Sequence, residues 1–540
     1  MKQYFEDVCW VRDIILAIVS AAIFGIIYWL ALPAIPGWGF MWTLLAALAI
    51  PGIIGLFFIF DGYENSPVTM IQLIASILIV VFMLIAWVGS GSLFNAKKHA
   101  ATFEPVEVQT QKEDIPSFDE VDSVALMDTA SAKKLGDRTL GSLSKYVSQF
   151  NVSDQYTTIS YQGRVMKIAP LVHGGFFKAM NNDTIPGYVI VDCLTNEASF
   201  VEVEGGIKYS PSAYFSKDLV RHIRSLYSSE ILGDYYNFQI DEEGNPYWVI
   251  TVFEYQVWMS AKVPTGAIVV NAVNGEMEKY ALNEIPTWVE QVFDGDTVTM
   301  LYNRHGKLLN GALNLSDTGK TQVTEDYGYV EKDGDIYIYT GVTSVAADES
   351  NIGFIMVNSR TGECKYYPIA GAEEYSAMSA AEGVVQNYGY EASFPSLVMY
   401  EDTPTYVMVL KDSNGLVKKY AMVNMVNYTI VAVEDTLDAC KSAYIKAITG
   451  EDEPLPPVEN NPVVEEYTQS TTITVTSVEF ITVNGTTIAY VKDADGHVYK
   501  QSFAQNEYLI LLEVGQEVVI EYNTLFDFIT PVNFKIGNNQ

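Results

Sequence analysis

Three carboxylates share one stretch of this chain: Glu373, Glu374 and Glu382. They lie among the small residues Gly371, Ala372, Ala377, Ala380, Ala381 and Gly383. Carboxyl groups held side by side can divide the work of general acid and base, so the stretch is a candidate site for hydrolytic chemistry. A plainer reading competes and is preferred. Glu373 and Glu374 open a predicted helix, Ala370–Tyr388, where negative charge complements the helix dipole. A second cluster, Lys217, Arg221, His222 and Arg224, gathers basic groups in a strongly acidic chain. It could grip an anionic polymer or a partner's carboxylates. The competing reading, favoured on pattern, is the solvated back of an amphipathic helix.

Other chemistry has little to use. There is no Gly-x-Ser-x-Gly elbow, glycine-rich phosphate loop or Cys/His pair at zinc spacing. No metal site and no cofactor is therefore expected. Cys9, Cys193, Cys364 and Cys440 read as small buried side chains, with a Cys193–Cys364 disulfide left open. The acidic turns Asp241–Gly244, Asp294–Asp296, Asp333–Asp335 and Asp493–Gly496 lack the ligand series of a known calcium loop. Arg304–Lys307 is expected to be a hairpin turn. Tyr235, Tyr236, Trp248, Trp258, Tyr366 and Tyr367 could line a sugar or peptide groove, but alternating strand aromatics more often fill cores. With 66 acidic against 32 basic side chains the net charge is −34. Such a chain is repelled by nucleic acid, so a DNA or RNA role is set aside.

The elements that must position these residues begin with three charge-free apolar stretches, Ile14–Leu32, Phe40–Phe60 and Val68–Val88. Each is near the ~20 residues that cross a bilayer as a helix. Trp10, Trp29, Trp38, Trp42 and Trp87 fall near their ends, where an amphipathic ring prefers the interface. Residues 1–98 are thus read as a transmembrane region (spans about 14–32, 40–60 and 68–88) with the lipid bilayer as a partner. No Asp, Glu, Lys, Arg or His lies inside these stretches, which favours an anchor over an ion path. Lys2 and Arg12 on one flank balance Lys97 and Lys98 on the other, so flanking charge leaves the orientation undecided.

A strand–turn–strand pattern recurs after the membrane region. Gly353 to Glu363 has the form Gly, four apolar residues, Asn358, two variable residues, Thr361, Gly362, Glu363. Gly266 to Glu276 repeats it with Asn271, Asn274 and Gly275. Gly187 to Glu197 repeats it with Asp192 and Asn196. Asn-Gly and Thr-Gly suit turn positions of positive φ. Helices are predicted at Arg138–Phe150, at Tyr214–Tyr227 with Ser216 as cap, and at Pro286–Phe293; Thr297–Tyr302 is expected to be a strand. The divisions are 99–134 as linker, units at 135–210, 211–283, 284–369 and 370–447, a linker at 448–470, and a last domain at 471–540. In the fourth unit the Gly-start pattern is lost. The last domain reads as a small β-barrel of OB or SH3-like type, starting with a strand over Thr471–Ile481. The fold class is α+β: three transmembrane helices, then tandem helix-on-antiparallel-sheet units, then the barrel.

A helix followed by strands, with Val357, Asn358, Thr361, Gly362 and Glu363 matched by Val270, Asn271, Asn274, Gly275 and Glu276, resembles PepSY-type domains. The whole chain also resembles large membrane-anchored proteins of Gram-positive bacteria, on stretches such as Thr340–Ser344, Asn351–Gly353 and Ala370–Tyr375. The resemblance implies an extracytoplasmic location with the N-terminus cytoplasmic. It also implies a binding or scaffold role that restrains or docks an envelope protein such as a peptidase, or holds a cell-wall component. An envelope hydrolase using Glu373, Glu374 and Glu382, and an assembly subunit acting through its spans, are the alternatives.

Overall fold

The computed structural model describes residues 2–61, 66–108, 115–118, 126–324, 326–345, 347–401, 403–413, 415–449, 469–483, 486–494, 496–502, 506–522 and 529–535. The chain separates into two compact units, Met1–Glu451 and Asp452–Gln540. Most of the predicted linker 448–470, and the Asn484-Gly485 turn, lie outside the described residues.

Helices α1 (Lys2–Ala31), α2 (Trp38–Phe60) and α3 (Pro67–Ser90) are each long and apolar enough to cross a membrane. Small residues let them approach: a Cβ at Gly55 would stand 2.2 Å from Thr69 Oγ1. Gln72 on α3 donates to Ser20 Oγ of α1 at 2.8 Å, a polar tie between apolar helices. After Gly91 the chain continues as α4 (Ser92–Ala100).

Four sheets follow, antiparallel except for the edge strand Val106–Glu107, which pairs in parallel with the third. The first is built from Phe150–Val152, Thr157–Tyr161, Arg164–His173, Ile185–Asp192 and Ala198–Ile207. The second runs Ile231–Ile240, Pro246–Val257, Ser260–Asn271 and Met277–Ala281. Thr321–Val323, Gly328–Lys332, Asp335–Ser344, Ala347–Asn358 and Cys364–Tyr367 form most of the third. The fourth has Glu391–Ala392, Ser396–Tyr400, Thr403–Lys411, Val417–Asn424 and Val431–Glu434. In the first, third and fourth sheets two short opening strands pair with successive halves of one long strand. In the second the opening strand is continuous, with a register shift between Leu232 and Tyr236 at the same place. Neighbouring sheets share cores: Ile168 and Tyr188 of the first with Phe238 and Trp248 of the second, Val269 with Ile355, and Phe354 with Tyr406. Apolar faces are thus covered mainly by the next sheet.

The turn of the repeat explains its sequence. Asp192 Oδ1 accepts from the amides of Leu194 and Thr195, Asn271 Oδ1 from Val273 and Asn274, and Asn358 Oδ1 from Arg360 and Thr361, all at 2.8–3.0 Å. The fifth turn residue is left-handed in each copy: Asn196, Gly275 and Gly362. That is why Asn or Gly stands there. The fourth copy is present too. Asn424 Oδ1 accepts from Val426 and Asn427 at 2.9 and 2.8 Å. Its loop closes one residue later, Asn424 N to Ile430 O, and so escapes the Gly requirement.

Several expected elements differ. The helix predicted at Arg138–Phe150 is α5, Thr129–Ser142, capped by Asp128, and Phe150 opens a strand. Its buried stripe is Ala132, Gly136 and Leu140, small enough to admit Tyr156 against Gly136. The short α6 covers Phe176–Asn181. Tyr214–Tyr227 shrinks to a 3-10 turn and α7 (Leu219–Arg224); Asp218, not Ser216, caps it, and Phe215 and Leu226 are exposed. Pro286–Phe293 is not helical: Gln239 Oε1 accepts from the Glu290 amide and its Nε2 donates to the Gln291 carbonyl, which holds the segment against the second sheet. Thr297–Tyr302 and the expected turn Arg304–Lys307 both belong to α8 (Gly295–Leu308). Asp294 caps it, and Val298, Leu301 and Tyr302 bury at helical spacing. The predicted Ala370–Tyr388 is α9, Glu374–Val384, and an unforeseen α10 (Leu437–Thr449) covers the fourth sheet with Cys440 and Tyr444. Cys193, Cys364 and Cys440 are buried free thiols, so the open Cys193–Cys364 disulfide is not formed.

No closed barrel is found among the described residues of the second unit. The expected strand Thr471–Ile481 breaks into Gln469–Thr474, paired with Glu517–Tyr522, and Ser477–Val483, paired with Thr486–Lys492. The two resulting sheets share one core around Ile473, Tyr499, Ile520 and Phe534.

Gly362 and Gly163 both have positive φ, but a Cβ at Gly362 would stand 2.3 Å from the Phe293 ring whereas Gly163 faces open space. Gly362→Ala should therefore cost about 1–3 kcal/mol more than Gly163→Ala. Thermal unfolding of the two variants in detergent checks this; equal midpoints would refute the close approach.

Candidate functional site

Several contacts between distant parts of the first unit meet where the apolar helices end. The hairpin between Pro246–Val257 and Ser260–Asn271 turns through Trp258, held at φ 51°. Beside it, Met259 O accepts from Trp38 Nε1 at 2.8 Å, and Met259 N donates to Ser90 Oγ at 3.2 Å. These bonds tie the start of α2 and the end of α3 to one hairpin tip. Trp258 lies over Gly89, where an added Cβ would be 3.6 Å from its ring. Ile35 N donates to Ser228 O at 3.1 Å, fixing the α1–α2 connection. His99 Nε2 bonds Ser90 O at 2.8 Å and His305 Nδ1 bonds Ala100 O at 3.0 Å, so α4 is tied to both α3 and α8.

Of the basic cluster, Arg221 reaches this junction. Arg221 stacks its guanidinium 4.5 Å over the Trp29 ring, at the end of α1. Arg224 Nη1 donates to Tyr227 O and Glu230 O at 3.2 and 2.5 Å. His222 bonds Gly275 O at 2.7 Å and lies against Tyr209 at 4.1 Å. Lys217 instead pairs with Asp183 at 2.9 Å. The four do not form one outward patch: two hold the ends of other elements, one reaches the α1 end and one makes a surface ion pair.

A cavity of about 670 Å³ opens at the same junction, lined among others by Trp38, Trp87, His99, Met259, Arg304 and Lys307. Arg304 Nη1 donates to Lys262 O at 3.1 Å, but its Nε and Nη2 are buried with no protein partner. Burial lowers its pKa to about 10.

The three carboxylates are not a pair. Glu373 sits at the N-cap position of α9. Glu382 Oε1 accepts from Ala392 N at 2.8 Å, a structural bond. Glu374 is 1% exposed between the third and fourth sheets, with Asn351 Nδ2 3.5 Å from both its Oε2 and the Tyr406 hydroxyl. Tyr406 in turn donates to Ala372 O at 3.3 Å. Burial pushes the Glu374 carboxyl up, and Tyr339 and Tyr406 well up, in a polar seam walled by protein.

Two buried ionisable groups escape sequence reading. Glu290, in the irregular segment expected to be helical, accepts from Ser160 N at 2.7 Å, and burial pushes its carboxyl up to about 8. Lys167 is enclosed in the first sheet, donating to Thr158 Oγ1 at 2.9 Å, and burial lowers its pKa. Nothing in the local pattern marks either one. Trp258 and Met259 carried a usable signal, a large aromatic and a Met at a hairpin tip.

No family model matches the chain, and no curated protein matches it. Among solved structures, a B. megaterium levansucrase variant is similar at 10% identity, covering 82% of this chain and 94% of that one, with a TM-score of 0.19. Bacillus subtilis levansucrase is similar at 10% identity, covering 79% and 97%, with a TM-score of 0.17. Neither likeness carries an argument about activity.

Glu290 yields a pH prediction. The native state keeps its proton up to about 8, whereas the unfolded chain releases it near the ordinary value of 4.5. Its stabilising share is therefore complete below about 4.5 and is lost as pH rises to about 8. Glu290→Gln should flatten that decline, leaving the variant the more stable form at about pH 8 and above; thermal midpoints across the range in detergent check this, and parallel profiles would refute it.

Proposed function

We propose that this chain is a membrane-anchored, extracytoplasmic binding or scaffold protein of the bacterial cell envelope. Its sheets would dock another envelope protein, such as a peptidase it restrains, or a cell-wall component. The observation that carries the reading is the junction itself. Three helices long and apolar enough to span a bilayer are joined to the sheets by Trp38–Met259, Met259–Ser90, Ile35–Ser228 and Arg221–Trp29. Separate flexible tethering would need none of these contacts. A body fixed to its anchor presents its surface at a set height and tilt, which favours engagement of a neighbour in the same membrane or wall. The resemblance to PepSY-type domains supports the same role, and the acidic surface favours a partner with basic groups.

Orientation is tested by labelling intact cells with a membrane-impermeant maleimide. Cys193, Cys364 and Cys440 are buried, so a Glu204→Cys variant carries its new thiol on an exposed site over a quiet background once Cys9 is changed to Ser. Residue 204 should label without permeabilisation. Labelling only after the membrane is opened would overturn the extracytoplasmic placement.

A further inference from the structure

We propose that the cavity at the helix junction binds the phosphate of an anionic membrane phospholipid, with Arg304 and Lys307 as its cationic ligands. The proposal rests on reading α1–α3 as membrane spans. Its place follows from its walls: Trp38 begins α2, and Trp87 and Ser90 end α3, so the cavity lies at the depth where a lipid headgroup meets its glycerol.

The charge of the lining selects the ligand. The chain has 66 acidic side chains, yet none lines this cavity, which instead holds Arg304, Lys307 and His99. Arg304 is the main argument. A guanidinium presents five donors in a planar fork suited to phosphate oxygens. Here one nitrogen is fixed by Lys262 O, while Nε and Nη2 are sheltered and without a protein partner. Leaving charged donors buried and unmet is costly, so the guanidinium gains by turning these nitrogens toward a phosphate held in the cavity that Arg304 lines. The apolar part of the lining, Trp38, Trp87 and Met259, suits the glycerol and the first acyl carbons, which a free phosphate ion would leave unused.

The neighbouring surface is built for the same plane. On α4, Leu93 and Phe94 are exposed beside Lys97 and Lys98, and Leu313 and Leu315 are exposed in the loop facing them. Apolar side chains flanked by lysines lie in the headgroup boundary of an anionic bilayer.

The test uses the full chain reconstituted in phosphatidylcholine vesicles containing a photoreactive phosphatidylglycerol, with crosslinked peptides read by mass spectrometry. The wild type should crosslink within α8 near Arg304. Arg304→Gln and Lys307→Gln should each lower the yield about fivefold, while Lys418→Gln on the fourth sheet leaves it unchanged. Lys307 is exposed at the helix end, so its variant keeps the test open should Arg304→Gln fail to fold. Yields unmoved by both substitutions would overturn the proposal, as would loss of the wild-type crosslink to excess inorganic phosphate, which would identify a free-ion site. Each sample is also floated and extracted with alkaline carbonate. A chain stripped from the vesicles would overturn the spanning reading, and the lipid site with it, whereas an inserted chain lacking the crosslink refutes the lipid site alone.

Discussion

The first unit depends on a short turn in which one side-chain oxygen holds two backbone amides. Asp192, Asn271, Asn358 and Asn424 each play this part. The residue after each is buried: Cys193, Ala272, Ser359 and Met425. Its amide bonds back to an adjacent strand, at Val165, Pro246, Ile336 or Pro404. In three copies its carbonyl reaches forward in space and backward in sequence. Ala272 O accepts from Lys208 and Tyr209, Ser359 O from Val292 and Phe293, and Met425 O from Ala372. Each of these three turns therefore fastens the chain leaving the preceding sheet. One polar side chain per sheet thus shapes the turn at which consecutive sheets are joined, beside the apolar cores they share.

The buried ionisable groups sit where this stacking leaves polar backbone to satisfy. Glu290 meets the edge amide of Ser160, and Gln239 and Gln291 hold the same crossing segment, with Gln291 Nε2 reaching Thr158 O at 3.1 Å. Glu374 and Asn351 occupy the seam between the third and fourth sheets. A carboxyl taken out of water stays neutral when that is cheaper than a desolvated charge. These acids are thus part of how sheets are joined.

Much of the architecture was legible because it repeats. The apolar runs ending at Asp192, Asn271 and Asn358 gave strands, turns and their count, and the three apolar stretches gave the helices α1–α3 with ends within a few residues, except that α1 begins at Lys2 and not near Ile14. The fourth copy was hidden by a single extra loop residue, which removed the Gly without removing the Asn424 turn. Helices were least legible. Asp128, Asp218 and Asp294 cap α5, α7 and α8, yet the apolar spacing alone drew attention to the residues after them. Pro286–Phe293 had a helical look but is held by side chains from remote strands, which no local pattern records. The candidate site was legible only as types: Arg221 and Arg224 were visible, but their partners lie 192 residues before Arg221 at Trp29, and within a few residues of Arg224.

The junction joins parts of the chain made at very different times. Trp38 waits for a residue 221 positions later, Ser90 for one 169 later, and Ala100 for one 205 later. During synthesis the apolar helices exist well before the second sheet and α8 that close over their ends. The cavity walls at Trp38 and Trp87 are then incomplete until Arg304 arrives, so the closed junction requires the second sheet and α8 to be in place.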